Sequence, residues 1–242
     1  MKLDDVKKLH LKRYREEFGH FLVEGEHLVL ELQKAAMHNP SLQACELYVT
    51  SEYESWRSPF QTHLIGASHM SQVADTKNPQ GIVAVVPILP TVAARKGERA
   101  IYLHEIQDPG NLGTVLRTLA WFGNFRCLLG PGSVDPYNPK VIRASAGAIF
   151  HVPIELDVEL DSLCARFPRI ACLDMGGESV QSAQFKRFEC YVFGNEARGV
   201  PRDQMTALGA QPYTIDGIGA IESLNLAAAV NMCVYELNRS PR

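Results

Sequence analysis

The stretch EIQDPGNLGTVLRTLAWFG, residues 105–123, places turn-forming residues directly before an amphipathic helix. Arg117 lies about 150° from the centre of the apolar stripe of this helix, so its guanidinium points away from the core, either as a solvated surface group or as a charge for a ligand. Asn111 is either the N-cap of the helix or a polar residue of a ligand site, and Gly123 suits the end of the helix. The predicted stripe consists of Leu112, Val115, Leu116 and Leu119.

A second stretch, VFGNEARGVPRD, follows a predicted strand and holds two charged residues between two glycines. Gly194 and Gly199 permit the backbone to approach a ligand closely, and Glu196 and Arg198 lie between them. The stretch has neither the spacing of a P-loop nor that of the G-x-G-x-x-G dinucleotide motif. What remains is a charged strand end flanked by glycines, which is compatible with a ligand-binding loop.

The third stretch, residues 215–236, ends in a helix predicted over residues 223–238. Ser223 is either the N-cap of that helix or a site residue, and Glu222 is expected beside the positive end of its dipole. Asn225 is an amide within the apolar first turn, where it needs a hydrogen-bonding partner. The small residues of LAAAV, which follow it, permit close packing of the helix on neighbouring backbone.

Composition excludes several classes of protein. The 242 residues carry a formal net charge of −3, and no apolar run approaches the length of about 20 residues that a membrane span needs. The N-terminus is charged throughout, which predicts a cytoplasmic protein. Six cysteines occur without a C-x-x-C pair, which favours reduced core thiols over a structural zinc site. Residues 1–20 hold six Lys and Arg against four Asp and Glu, which indicates either a local patch for nucleic acid or a solvated helix face.

Apolar β-branched runs alternate with helical patterns along the chain, which predicts two α/β domains. Residues 1–89 form the smaller domain, which opens with a helix predicted over residues 3–18. Residues 90–99 gather Pro, Gly and charge as a linker, and residues 100–242 form the larger domain. Its strands are apolar throughout, which is typical of a parallel sheet covered on both faces. Ligands of such sheets bind at the carboxyl ends of the strands.

The stretches DPGNLGTVLRTLAWFG, VFGNEARGVP and ESLNLAAAVNMCVYE resemble, in this order, motifs 1, 2 and 3 of the SpoU (TrmH-like) RNA 2′-O-methyltransferases of the SPOUT superfamily. The intervening GPGSVDPYNPKVIRASAGAIFHVPI is similar to the linking segment of the family, so the resemblance covers residues 100–238. Residues 1–89 are similar to the L30e-like domain with which many members bind their RNA substrate.

The resemblance implies a catalytic domain with a trefoil knot, a rare exception to the rule against knotted chains. It also implies S-adenosylmethionine as the cofactor, held by the knotted loops, and a homodimer formed through the larger domain and its last helix. LDMGGES, residues 173–179, is expected on the adenosine side. The implied cofactor-binding residues are Gly194, Asn195, Ile215, Gly217, Leu224 and Asn225.

The implied reaction is the in-line displacement of the sulfonium methyl group by a ribose 2′-hydroxyl. A neutral hydroxyl is a poor nucleophile, so the site must remove or delocalise its proton as the new bond forms. Because arginine stays protonated, we expect Arg117 to bind the adjacent phosphate and to stabilise the developing alkoxide. Asn111 and Asn225 are expected to position the substrate, and Glu196 to hold the arginine or the loop. The implied catalytic residues are Arg117, Asn111, Glu196, Ser223 and Asn225.

One residue departs from the family pattern, because Asp216 occurs where many relatives have Met; it either caps a turn or alters the edge of the pocket. Ribosomal RNA is the expected substrate, since the N-terminal domain resembles those of rRNA-directed members, and tRNA is the alternative. Two other classes stay open. A non-catalytic RNA-binding protein is disfavoured by the intact polar residues of the motifs, and a methyltransferase of small molecules or proteins by the L30e-like domain.

Overall fold

The structure is a computed structural model, and it describes residues 1–220 and 223–239. The described chain divides into two compact units, the first of residues 1–90 and 135–151 and the second of residues 91–134 and 152–239. Within these ranges, no helix has the length and apolarity that a membrane span requires. The domain boundary placed by the sequence at residues 90–99 stays a prediction.

The elements are numbered in chain order. The α-helices are α1 (Leu3–Val6), α2 (Lys12–Phe18), α3 (Glu26–Ala36), α4 (Ala67–Val73), α5 (Pro109–Phe122), α6 (Pro139–Ser145), α7 (Leu163–Arg166), α8 (Arg202–Ala207) and α9 (Leu226–Asn238). The strands are β1 (His20–Glu24), β2 (Glu46–Val49), β3 (Gln61–Leu64), β4 (Ile82–Pro87), β5 (Arg99–Leu103), β6 (Phe125–Leu129), β7 (Ile154–Glu155), β8 (Ile170–Ser179), β9 (Cys190–Phe193) and β10 (Gln211–Thr214). Short 3-10 helices lie at Lys7–His10, Pro40–Leu42, Ser51–Tyr53, Ala148–Phe150, Leu160–Ser162 and Phe185–Arg187.

The first unit is built on a four-stranded sheet in the order β1-β4-β2-β3. Strand β4 pairs antiparallel with β1 and with β2, and β2 pairs parallel with β3. Apolar residues of alternate strand positions pack with α4 and with the N-terminal turns. This core contains Val6, Leu9, Leu22, Tyr48, Met70, Val73, Val83 and Val85. The sheet and its helices confirm the smaller N-terminal α/β domain that the sequence predicts.

Residues 135–151 pack with the first unit although they follow β6 in the chain. Arg15, whose side chain is 4% exposed, donates from Nε to the Asp135 carboxylate at 3.0 Å and from Nη1 to two backbone carbonyl oxygens. The ring of Tyr137 packs on Phe21 with the centroids 4.8 Å apart. The Arg15–Asp135 pair and the ring contact attach this segment to the first unit. Removing either partner of the buried pair would leave an uncompensated charge.

The second unit is a six-stranded sheet in the order β10-β8-β9-β5-β6-β7, and all of its neighbouring strands are parallel. This confirms the predicted parallel α/β sheet, in which the inner strands β6 and β9 are buried at every residue. The apolar stripe predicted for α5 is buried as well, with each member at most 1% exposed. The trefoil knot implied by the family resemblance stays a prediction.

The first 24 residues differ from the sequence prediction. The single helix expected over residues 3–18 is broken at Leu11, whose extended backbone, with φ −96° and ψ 130°, separates a 3-10 turn from α2. Strand β1 lies where the sequence predicted no strand. A short apolar run such as FLV is compatible with either a strand or a buried helix, and here pairing with β4 decides.

Candidate active site

Helix α5 begins at a turn that is capped by Asp108. The Asp108 carboxylate accepts a hydrogen bond from the Asn111 backbone N–H at 2.7 Å, and Pro109 occupies the first helical position. The interpretation of Asn111 as the N-cap is therefore wrong. Because the backbone of Asn111 is satisfied by Asp108, its side chain is available for contacts outside the helix. Gly123 ends the helix with a φ of 66°, as predicted.

Helix α9 is capped by Asn225, whose Oδ1 accepts from the Ala228 N–H at 3.2 Å. Ser223 is exposed in the preceding loop, so the predictions of Ser223 as the cap and of Asn225 within the first turn are both wrong. The Asn225 Nδ2 donates to the Asn111 Oδ1 at 2.9 Å and joins the starts of the two helices. Glu222, expected beside the positive end of the dipole, lies outside the described residues.

Helices α5 and α9 lie side by side and run in the same direction. Beyond the Asn111–Asn225 bond, the Thr118 hydroxyl donates to the Asn231 Oδ1 at 2.6 Å, and the rings of Phe122 and Tyr235 meet edge to face at 6.4 Å. These cross-helix pairs keep nearly the same sequence offset, which a parallel arrangement requires. The positive dipole ends of both helices therefore open at one place, which favours a negative or polar ligand there.

Glu196 connects the loop before α5 to the loop after β9. Its carboxylate accepts from the backbone N–H groups of Gln107 and Asp108, both at 3.4 Å, and from the Asn111 Nδ2 at 3.3 Å. Of the two partners considered for Glu196, the arginine and the loop, the described contacts are with the loop. Glu196, Asn111 and Asn225 thus form a hydrogen-bonded line across all three sequence stretches.

The loop after β9 is shaped by a glycine and a buried amide. A Cβ atom at Gly194 would lie 2.1 Å from the carbonyl carbon of Gly199, so no larger residue fits. Asn195 is 7% exposed, and its Oδ1 accepts from the N–H groups of Ala197 and Arg198. These contacts give both residues a structural role. A cofactor contact by their backbone, as the resemblance implies, stays a prediction.

Two residues of this network were not identified from the sequence. Glu105 has a positive φ of 52°, and its carbonyl oxygen accepts from the Asn195 Nδ2 at 2.9 Å. Gln107 donates from Nε2 to the carbonyl oxygens of Glu105 and Gly132, at 3.0 and 2.8 Å. Neither residue belongs to a recognisable turn signal. Only their place directly before the Asp-Pro turn could have drawn attention to them.

Arg117 lies on the exposed face of α5, as the helical spacing predicts. Thr114 and Trp121 lie on the same face, and the Trp121 side chain is 85% exposed. Within the part of the chain that the structure describes, the Arg117 guanidinium makes no hydrogen bond or ion pair. Its charge is therefore available to a ligand, although the structure does not bring it into contact with the Glu196–Asn111–Asn225 line.

The loop after β10 carries the remaining predicted cofactor residues. Ile215 is half-buried and Gly217 is exposed, while the side chain of Ile218 is 99% exposed. The Asp216 carboxylate accepts from the Ser179 hydroxyl at 2.5 Å and ties the loop to the end of β8. Leu224, in the third stretch, is also exposed, as is Met175 of the LDMGGES segment. Exposed apolar side chains next to glycines are typical of a ligand-binding loop.

The buried thiols of the second unit are unsuited to nucleophilic chemistry. Burial raises the pKa of Cys172 to about 11 and that of Cys127 to about 12, so both stay protonated near neutral pH. Cys233 of α9 is also fully buried, and burial raises its pKa to about 12. These cysteines are core residues, and the chemistry of the site depends on its amides, carboxylate and arginine.

The N-terminal basic run is less available than its sequence indicates. Lys7 and Lys8 pair with acidic side chains three residues before them, and Lys12 pairs with Glu16. Arg15 is buried in its pair with Asp135. Exposed pairs of this kind are weak and do not exclude RNA. They nevertheless favour the solvated helix face over a dedicated phosphate-binding patch.

Two family models match the chain in succession. The model of the SpoU rRNA Methylase family matches residues 98–235, and the MRM3-like substrate binding domain matches residues 2–84. The 23S rRNA (guanosine(2553)-2′-O)-methyltransferase RlmP of Bacillus subtilis is 33% identical over 98% of this chain and 95% of its own length. The SpoU family model and the Bacillus subtilis relative both span Asn111, Glu196 and Asn225, the residues of the hydrogen-bonded line.

Solved structures share the whole fold. A TrmH-family protein from Porphyromonas gingivalis superposes with a TM-score of 0.84 at 27% identity, over 98% of this chain and 96% of that one. An AdoMet-bound rRNA methyltransferase from Sinorhizobium meliloti gives a TM-score of 0.81 at 24% identity, over 97% and 93% of the two chains. At that identity, the second likeness establishes the fold alone.

Proposed function

Because the chain belongs to the SpoU rRNA methylase family, we propose that it transfers a methyl group from S-adenosylmethionine to a ribose 2′-hydroxyl of ribosomal RNA. The observation that carries this proposal is the hydrogen-bonded line of Glu196, Asn111 and Asn225. It joins the three loops at the starts of two parallel helices, where polar groups of a substrate can be positioned. The name of the Bacillus subtilis relative supports the same reaction and ribosomal RNA as the substrate class.

The loops of the second unit fit the proposed cofactor. S-Adenosylmethionine supplies an electrophilic methyl group when bound, and its adenosine needs apolar surface together with backbone donors and acceptors. Leu224 and Ile218 offer exposed apolar side chains, and Gly217 leaves its backbone open. Gly194 allows the loop after β9 to fold tightly enough to leave room. We assign the backbone of Gly194, Ile215 and Leu224 to this site, with Asn195, Gly217 and Asn225 beside them.

Arg117 is assigned to the RNA. Its guanidinium is permanently charged, so it is a poor base, and it has the planar fork that phosphate oxygens accept. As the 2′-hydroxyl loses its proton to solvent, negative charge develops on the oxygen, and a positioned cation stabilises it. This oxygen then takes the methyl group as the carbon–sulfur bond breaks and the sulfur leaves as a neutral thioether. Asn111 and Asn225 position the ribose with the amide hydrogens that remain free beside their mutual bond and the bond from Asn111 to Glu196, and exposed Ser223 can add a hydroxyl donor.

A homodimer is part of the proposal. Trp121 of α5 is 85% exposed, and Tyr235 and Met232 of α9 are 60% and 46% exposed. The Phe122–Tyr235 contact makes the apolar surface of the two helices continuous. A surface of this kind is typical of an interface, and a second copy of this chain would cover it around a two-fold axis. Replacing Trp121 with Glu should shift the mass measured by sedimentation to that of a monomer; an unchanged mass would contradict this interface.

Two further parts of the proposal depend on the sequence. The substrate-binding role of residues 2–84 is supported by the matching family model. A cytoplasmic location is supported by the free state of all six cysteines, since disulfides are rare in that compartment.

Methyl incorporation tests the proposed function. The full-length protein is incubated with methyl-labelled S-adenosylmethionine and with rRNA or tRNA that was transcribed without modifications. We expect label in the rRNA, and we expect ribonuclease to release it from the acid-insoluble fraction. Label that survives ribonuclease would indicate a protein substrate, and label only in tRNA would reject ribosomal RNA. Binding of both ligands without incorporation would indicate a non-catalytic RNA-binding protein.

A further inference from the structure

Glu105 occupies a backbone conformation that favours glycine. It follows β5 directly before the turn of α5, and its φ of 52° lies in the left-handed region, where a side chain is strained. Strain of this kind persists only when surrounding contacts impose it. The contacts of Glu105 therefore indicate what the residue does.

Besides local contacts with His104 and Gln107, two contacts of Glu105 lead to the loop after β9. The Glu105 carboxylate accepts from the Arg198 guanidinium, and its carbonyl oxygen accepts from the Asn195 Nδ2 at 2.9 Å. The Arg198 side chain is 70% exposed and that of Glu105 is 33% exposed. An ion pair this accessible to water adds little to stability, so stability alone does not account for a glutamate at a strained position.

Glu105 and Glu196 connect the same two loops, and each glutamate lies in one loop and accepts hydrogen bonds from the other. Glu196, in the loop after β9, accepts from the N–H groups of Gln107 and Asp108 in the loop before α5. Glu105, in the loop before α5, accepts from Arg198 in the loop after β9. We call these three contacts, together with the bond from Asn195 to the Glu105 carbonyl oxygen, the reciprocal clamp. It fixes the position of Glu196 relative to Asn111, and through Asn111 that of Asn225.

We propose that Glu105 and Arg198 are positioning residues for the methyl transfer, acting through the reciprocal clamp on Glu196 and Asn111. This inference rests on the proposed function. Neither side chain needs to touch the reacting atoms. With both loops clamped, the amides of Asn111 and Asn225 stay aligned with the ribose, and a displacement of about 1 Å at such a site can cost up to about 100-fold in rate.

Kinetics of Glu105→Gly test the proposal, because this change removes the carboxylate and the backbone strain together. We expect kcat to fall by between about 10-fold and 100-fold while KM for RNA is unchanged. We expect the melting temperature to stay the same or to rise, since glycine adopts this φ freely. A purely structural role would move activity and stability in the same direction. Glu105→Gln, which keeps an oxygen for Arg198, should retain most of the activity.

A matched control is the Arg169–Glu189 pair, which lies before β8 and β9 at the other end of the same sheet. Its side chains are 54% and 34% exposed, close to the values of the Arg198–Glu105 pair. Arg169→Ala should leave kcat unchanged, and Arg198→Ala should lower kcat as far as Glu105→Gly does. The double variant Glu105→Gly/Arg198→Ala should be no worse than either single change, because the two residues act as one unit.

Amide hydrogen exchange separates this proposal from the proposed function, since it requires no methyl transfer. The N–H groups of Gln107 and Asp108 should exchange faster in Glu105→Gly and in Arg198→Ala than in the wild type and in Arg169→Ala. Unchanged exchange, or an unchanged kcat in an active enzyme, would overturn the positioning role. If the wild type were inactive but exchange were faster in the variants, the proposed methyl transfer would be contradicted and the reciprocal clamp would be supported.

Discussion

The two ends of the parallel sheet hold similar charged residues in opposite environments. At the amino ends of the strands, Arg126 is 4% exposed beside Glu98, which is 2% exposed. The same guanidinium bonds Glu155 and the Val92 carbonyl oxygen. On α5, which begins beyond the carboxyl end of β5, Arg117 is exposed, and no described residue bonds its guanidinium. An arginine that is buried and hydrogen-bonded within the chain stabilises the fold, whereas an exposed arginine without such bonds is available to a ligand.

The same contrast applies to the carboxylates. Glu98 accepts from Arg126 at 2.7 Å and is closed to water. Among the described residues, Glu196 accepts hydrogen bonds only from neutral donors, namely two backbone amides and the Asn111 side chain, and all of these bonds are longer than 3.2 Å. Residue type alone therefore does not separate structure from function. Burial and the completeness of hydrogen bonding do, and each can be tested by substitution.

The largest expected effect is on stability, at the amino end. Arg126→Met would leave Glu98 buried without a counter-ion, which should lower the free energy of unfolding by about 3–5 kcal/mol. Urea denaturation measures this change. In the double variant Arg126→Met/Glu98→Leu the buried charge is gone, so part of the loss should be recovered. A double variant as unstable as the single one would show that the pair itself, and not the orphaned charge, matters.

The largest expected effect on activity is on α5, the helix that begins beyond the carboxyl end of β5. Arg117→Ala should lower the rate of methyl transfer by about 10²–10³-fold, the scale of one electrostatic donor. Its melting temperature should be unchanged, since the side chain is exposed on α5. Arg117→Lys should restore little, because lysine lacks the bidentate fork. Rates for all three proteins under single-turnover conditions make the comparison, and a fully active Ala variant would refute the assignment.

A smaller loss is expected for Glu196→Gln. Glutamine keeps one oxygen for the loop amides but removes the negative charge at the start of α5, so a decrease of about 10-fold in kcat is expected. A calorimetric titration with S-adenosylmethionine checks whether the loop still binds the cofactor. Full activity in this variant would mean that the negative charge of Glu196 is dispensable and that the shape of the side chain is enough to hold the loop.

The smallest effect is a pH dependence at the amino end. Burial opposes ionisation of Glu155, but hydrogen bonds and charge from Arg166 and Arg126 outweigh it and lower the Glu155 pKa below the usual 4.5. A lowered pKa adds stability above the unfolded value, and that stability is lost as the pH falls from 4.5 through the folded value. Thermal melting of Glu155→Gln should therefore depend less on pH in this range. Parallel curves for variant and wild type would contradict the shift.

Sequence reasoning reached the fold class because its signals are periodic. The strands of the second unit are short apolar runs between helices, and the stripe of α5 places Arg117 outside the core. The caps were missed for a local reason. Asp108 and Asn111 are both good caps, and Pro109, which favours the first helical position, was the signal that selects Asp108.

Other features could not be read from the sequence, because they depend on contacts between distant residues. Nothing around Glu105 marks a positive φ, which follows from its bonds to Arg198 and Asn195. Residues 135–151 join the first unit through the Arg15–Asp135 pair, whose partners are 120 positions apart. Periodicity describes only neighbours along the chain, so such pairings become visible only in three dimensions.

The chemistry of the methylated nucleotide is the most direct test of the proposed reaction. Unmodified rRNA is incubated with the full-length protein and methyl-labelled S-adenosylmethionine and is then hydrolysed with alkali. Alkaline cleavage requires a free 2′-hydroxyl, so a 2′-O-methylated nucleotide survives within a dinucleotide. We predict label in alkali-resistant dinucleotides with the wild type and its near absence with Arg117→Ala. Label recovered only in mononucleotides would show methylation on a base and would contradict the proposed function.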